Sequence, residues 1–220
     1  MGSSAPEEWV FDTGEKGKPY LSNGHQPLHF NVSHTHNLIA LALSQHYAIG
    51  VDVEHTLRNS DTINIADRYF SCHELEELHA LPIAQQENHF FDYWTLKESY
   101  IKACGVGLSI PLDSFSFHVD RSTDSLINSN VRLTFREDRN DQTDHWHSSL
   151  LQLGDVHRGA LSIHTLDKLP SQAMSIRCFI AQNTMHNMTP FIETSLPLPT
   201  ANSQQHTLVQ QIQDYLWNVL

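Results

Sequence analysis

Apolar residues follow two different rhythms along this chain. Between residues 28 and 54 the runs LHFNVSH, LIALALS and YAIGVDVE have the length and apolar density of short strands. In the third run Val51 and Val53 alternate with Asp52 and Glu54. A strand there sends the valines to one side and both carboxylates to the other. From residue 60 the period lengthens. Ile63, Ala66, Tyr69 and Phe70 recur at helical spacing, and Ser71 with Glu74 three positions on forms a capping box that opens a second helix, ended by Pro82. A third helix is expected from about Phe90 to Cys104, with Gly105 and Gly107 as terminators because glycine tolerates left-handed dihedrals.

Beyond that helix, segments near 115–119, 131–135, 148–153, 160–165 and 175–181 read as strands joined by polar turns, giving an antiparallel sheet packed on the helices. Residues 17–27, rich in Gly, Pro, Ser and Asn, read as a loop. Thr184 to about Gln205 reads as a loose polar linker. Leu208, Val209, Ile212, Tyr215, Leu216 and Val219 then mark the apolar face of an amphipathic helix. The fold class expected from this pattern is α+β.

Charge and cysteine usage narrow the function. A formal net charge of −12 argues against broad attraction to nucleic acid or to an anionic membrane, so an anionic ligand would need a local basic pocket. Cys72, Cys104 and Cys178 are odd in number and widely spaced, with no CxxC pair, which fits reduced thiols in a cytoplasmic protein. No apolar run approaches the roughly 20 residues of a membrane span, and the first residues lack the basic and apolar regions of a signal peptide.

The candidate chemistry lies in two segments. Asp52 and Glu54, side by side on a strand face, supply oxygen ligands of the kind a hard cation such as magnesium takes, although a DxE alone also fits a solvated strand edge. WTLKESYIK sets Trp94, Glu98 and Lys102 along one helical stripe with Lys97 at its border. Read separately, Glu98 and Lys102 are an ordinary helix pair worth about 0.3–0.5 kcal/mol. Read together with Asp52 and Glu54, they suit phosphoryl transfer, where metal and lysine neutralise phosphate charge and a glutamate accepts a hydroxyl proton. NVSHTH adds Ser33 and His34 as donors to an anionic oxygen. HELEELH, from His73 to His79, does not have the spacing of a zinc-binding HExxH, and is rejected as a metal site.

The ordered set GKPYL, FNVSH, GVDVE and WTLKESYIKACGVGLSIPLDSFSF resembles the 4′-phosphopantetheinyl transferases of the surfactin-synthetase type, from about Gly17 to Phe117 and weakly on to residue 165. The resemblance implies a fold of two pseudo-twofold-related α+β halves with antiparallel sheets, and coenzyme A between them. Residues 1–46 would be the remainder of an incomplete first half, 47–183 the second half, and 184–220 the linker and terminal helix. Family members carry a further half-domain before GKP, and the chain is expected to begin too late to hold it.

Carried over by motif, Asp52, Glu54 and Glu98 would hold Mg2+, with Glu98 as base and Asp52 and Lys102 completing the catalytic group. Lys18, Pro19, Ser33, His34, Lys97 and Lys102 would contact coenzyme A, and Trp94 would support the helix face. The implied reaction transfers the 4′-phosphopantetheine arm of coenzyme A to a serine of an apo acyl or peptidyl carrier protein and releases adenosine 3′,5′-bisphosphate. Two other readings remain: a noncatalytic relative that binds a carrier protein or coenzyme A, and a magnesium-dependent phosphohydrolase. A carrier protein would dock on a small apolar patch with a few basic residues.

Overall fold

The computed structural model describes residues 8–23, 28–57, 61–122, 126–139, 141–165, 176–181 and 188–193. Phe11–Ser22 with Gln26–Lys168 forms one compact unit, and Met1–Val10, Asn23–His25 and Leu169–Leu220 belong to a second. The first unit runs without a break across positions 46 and 47.

In the first unit, β1 (Phe11–Thr13) pairs antiparallel with β2 (Pro19–Leu21), and β2 lies inside the 17–27 region expected as loop. A second hairpin joins β3 (His29–Thr35) to β4 (Leu38–Ser44), with Asn37 in the left-handed region at the turn. β5 (Ala48–His55) leads into helices α1 (Thr62–Tyr69), α2 (Cys72–Ala80) and α3 (Ile83–Cys104). β6 (Phe115–Val119), β7 (Ile127–Phe135), β8 (Trp146–Gln152) and β9 (His157–His164) follow. These four and β5 form an antiparallel sheet in the order β5-β9-β8-β7-β6. The architecture is α+β with antiparallel sheets, as the apolar pattern indicated.

Helix α3 lies on this sheet and supplies a large share of the core. Phe90, Phe91, Tyr93, Leu96, Tyr100 and Ile101 are buried with Phe70 and Leu78 from the other helices and Phe115, Phe117 and Leu133 from the sheet. Each such side chain contributes about 1.5–3 kcal/mol when fully buried. The helix begins at Ile83, well before the expected Phe90. Its first turns face solvent, with Ile83 strongly exposed, so the apolar period starts only where the helix meets the core. Gly105, with φ +71°, ends it as a left-handed cap. At α2 the capping box forms as read: Ser71 Oγ accepts from the Glu74 amide, and Glu74 accepts from the Ser71 amide.

β5 is an edge strand of the sheet, yet its outer amides are occupied. Asn31, Ser33 and Thr35, alternate residues of β3, accept through their side chains from the amides of Val51, Val53 and His55 at 2.8, 3.2 and 3.1 Å. The polar positions of NVSHT thus close an edge that backbone pairing leaves open.

In the second unit, β10 (Arg177–Ala181) and β11 (Met188–Glu193) pair antiparallel, with a register shift between Cys178 and Phe179. β11 falls within the segment expected as a linker, so at least these residues take ordered strand form. The expected terminal amphipathic helix lies outside the described residues. No helix among the described residues is long and apolar enough to cross a membrane.

Candidate active site

The site is built where β5 passes under the last turns of α3. A Cβ added at Gly50 would stand 2.1 Å from the Ser99 carbonyl oxygen and 2.3 Å from the Ala103 amide nitrogen, so only glycine permits this approach. Asp52 and Glu54 continue the same face of the strand towards the helix. Glu98 and Lys102, one turn apart on α3, meet that face.

Lys102 Nζ lies 2.6 Å from Asp52 Oδ1 and 3.0 Å from Ser33 Oγ, and the Ser33 hydroxyl itself donates to Asp52 Oδ1 at 2.9 Å. Asp52 is buried, and among the described residues its second oxygen, Oδ2, has no hydrogen-bond partner. Burial pushes the Asp52 carboxyl up from its ordinary range, while Lys102 and Ser33 pull it down. The Glu98 carboxyl is also pushed up, first by burial and then by the Asp52 charge, with Lys102 opposing and Glu54 adding to the rise. Asp52 and Glu98 therefore both lean on one partly exposed ammonium, that of Lys102.

That imbalance would suit a cation. Among the described residues no three His, Cys, Asp or Glu side chains already stand in an arrangement that holds a metal. The donors at this spot nonetheless fit a hard divalent cation: they are carboxylate oxygens, mutually repelling, and Asp52 Oδ2 is an acceptor left open in a buried position.

Other residues singled out from the sequence fall elsewhere. Lys97, expected to touch coenzyme A, does not belong to the site. Its ammonium is fully buried, 2.7 Å from Glu74 Oε2, and donates to the carbonyls of Leu112 and Phe115 at 2.7 and 2.9 Å. A lysine one position from Glu98 is turned about 100° around the helix, which carries it into the core. Lys18 is also redirected: its Nζ donates to the carbonyls of Ile49, Lys102 and Ala103 at 3.1, 2.7 and 3.2 Å. Instead of lying open for a nucleotide, it satisfies orphan carbonyls at the end of α3. Burial lowers its pKa.

Pro19 begins β2, and His34 is exposed on β3. Trp94 stacks on Phe90, with ring centroids 5.7 Å apart, and packs against the core as a support for the helix. His73 and His79 engage separate carboxylates, Glu77 at 3.2 Å and Asp67 at 2.9 Å.

Sequence reasoning missed Gly50, although a glycine inside an apolar strand is the usual mark of a close backbone approach. It also missed Asp92, a buried carboxylate on α3 that pairs with Arg121 at 2.6 Å and lies 3.5 Å from Arg158. Arg158 is the cross-strand partner of Glu54. No local spacing announces this group, because its members come from three distant segments.

The segment that carries this geometry matches a family. Residues 48–162 fit the 4′-phosphopantetheinyl transferase superfamily model, and the chain belongs to that superfamily. A 4′-phosphopantetheinyl transferase of Bacillus subtilis is 43% identical over 106 residues, covering 48% of this chain and 46% of that one. The 4′-phosphopantetheinyl transferase HetI of Nostoc is 40% identical over 106 residues, covering 47% of this chain and 45% of that one. An L-aminoadipate-semialdehyde dehydrogenase-phosphopantetheinyl transferase of Xenopus laevis is 29% identical over 174 residues, covering 73% of this chain and 56% of that one. The chain spans about half the length of the curated relatives it matches.

Proposed function

We propose that the chain transfers the 4′-phosphopantetheine arm of coenzyme A to a serine of an apo acyl or peptidyl carrier protein, with Mg2+ held by Asp52, Glu54 and Glu98. The observation that carries this reading is the incomplete bonding of Asp52, one oxygen engaged by Lys102 and Ser33 and the other open, within the segment matched to the superfamily. Bound there, the cation would supply charge neutralisation for the diphosphate of coenzyme A.

The chain's own residues do the rest. Glu98, with its carboxyl raised by burial and by Asp52, is suited to accept the proton of the carrier serine. The serine oxygen forms a bond to the phosphorus on the pantetheine side, and the bond from that phosphorus to the bridging oxygen breaks. Adenosine 3′,5′-bisphosphate departs with the electron pair. Lys102 would neutralise charge on the diphosphate and His34 would donate to its oxygens, while the Ser33 hydroxyl stays on Asp52. Pro19 would line the nucleotide side. The reading places the chain in the cytoplasm, a setting that the free thiols of Cys72 and Cys104 support. Carriers of fatty-acid, polyketide and peptide synthesis all offer the required serine.

A second reading is a noncatalytic holder of coenzyme A or a carrier protein. The two separate in one assay: the intact mass of an apo carrier protein after incubation with this chain, coenzyme A and Mg2+, beside a chelator control. A metal-dependent gain of one phosphopantetheine is expected. No gain, with an active relative run in parallel, contradicts the transferase reading.

A further inference from the structure

Lys102 occupies a place that a metal would contest. Its ammonium stands 2.6 Å from Asp52 Oδ1, on the carboxylate whose other oxygen is open. A divalent cation on Asp52 would lie within a few ångströms of that ammonium, and like charges at such distances repel strongly where solvent is largely excluded. Lys102 is also the lysine here with freedom to leave. Its side chain is 28% exposed, on a flexible four-carbon stem, whereas Lys97 is sealed against Glu74 and Lys18 is spent on three carbonyls. What holds Lys102 down is Asp52 together with Ser33, and a doubly charged diphosphate is a stronger acceptor than that pair.

We propose that Lys102 is a built-in counter-ion, seated on Asp52 in the ligand-free protein and released to the diphosphate when metal arrives, so that metal and coenzyme A bind cooperatively. The inference rests on the proposed reading of Asp52 as a metal ligand. It adds that metal alone binds weakly because it must displace the lysine, and that coenzyme A removes this obstacle by offering Lys102 another partner. Linkage makes the effect reciprocal: each ligand tightens the other by the same factor. Ser33 has a part in the exchange, since its hydroxyl donates to Asp52 while accepting from Lys102 and from the Val53 amide. It keeps Asp52 partly satisfied while the lysine is away.

The test is Mn2+ binding to the full chain, by electron paramagnetic resonance or calorimetry, with and without coenzyme A and with no carrier protein present. Wild type is expected to bind Mn2+ on the order of 10-fold more tightly when coenzyme A is present, within the range typical of coupled sites. Lys102→Gln should bind Mn2+ alone more tightly than wild type, by roughly 5-fold or more, and coenzyme A should tighten it little further. Lys102→Arg, which keeps the charge, should behave like wild type. Equal or weaker Mn2+ binding by Lys102→Gln, with its circular dichroism unchanged, overturns the counter-ion role and leaves the transferase reading standing. Wild type that binds no Mn2+ even with coenzyme A overturns both.

Discussion

Two lysines five positions apart on one helix each meet a carboxylate at almost the same distance, Lys97 with Glu74 at 2.7 Å and Lys102 with Asp52 at 2.6 Å. Their surroundings differ. The Lys97 pair is 0% exposed on both sides, and both carboxylate oxygens are engaged: Glu74 takes the Ser71 amide and hydroxyl on one oxygen and the Phe117 amide on the other. The Lys102 pair is 28% and 7% exposed and leaves Asp52 Oδ2 open. A completed network locks α2, α3 and β6 together, whereas an incomplete one keeps charge available for a ligand. Ion pairs of equal length thus serve opposite ends, and the difference lies in what else each carboxylate touches.

The largest expected effect falls on the open side of this comparison. Glu98→Gln should lower transfer by about 10²–10⁴-fold, the range of general-base contributions, while urea unfolding stays as in wild type. A variant that transfers at the wild-type rate removes Glu98 as the base. The acid limb of the wild-type rate profile should lie above the 4.5 of an ordinary glutamate, because burial and Asp52 hold the Glu98 carboxyl protonated further up the scale. Activity is then present above the raised pKa and lost as pH falls through it. Rising Mg2+ should move that limb to lower pH, since metal and proton compete for the same carboxylates.

On the closed side, Lys97→Met should cost about 3–5 kcal/mol, read from the urea midpoint, because it strands the buried Glu74 charge. A loss below 1 kcal/mol would mean Glu74 finds another partner or takes up a proton. Gly50→Ala tests the approach that brings the two sides of the site together. With a Cβ 2.1 Å from the Ser99 carbonyl oxygen, strand and helix must part, at about 1–3 kcal/mol and with a fall in transfer. Ser33→Ala should be the mildest change. It removes one hydroxyl that serves Asp52, Lys102 and the Val53 amide, at about 1 kcal/mol, and should reduce metal affinity more than stability.

Much of this was legible in the residues, for reasons that differ from place to place. β5 and its paired carboxylates followed from strict alternation, and the α2 cap from Ser71 and Glu74, because local spacing determines both. Residues on one helical stripe, Glu98 and Lys102, were rightly placed on a common face. Lys97 was not, since nothing in WTLKESYIK announces that its partner lies 23 positions earlier on α2. Lys18 misled in the same way: a basic residue in a glycine-rich loop looks free until the end of α3 is seen to need it. β1 and β2 escaped notice because three-residue strands carry no periodicity to read.

The most direct test of this account is the rate of transfer per folded molecule for Lys102→Met beside Lys97→Met. The account predicts a steep loss of transfer in the first, which should unfold near the wild-type urea midpoint, and substantial transfer by whatever fraction of the second remains folded. Full transfer by Lys102→Met, or a loss of stability in it as large as in Lys97→Met, would contradict the division of labour between the two pairs.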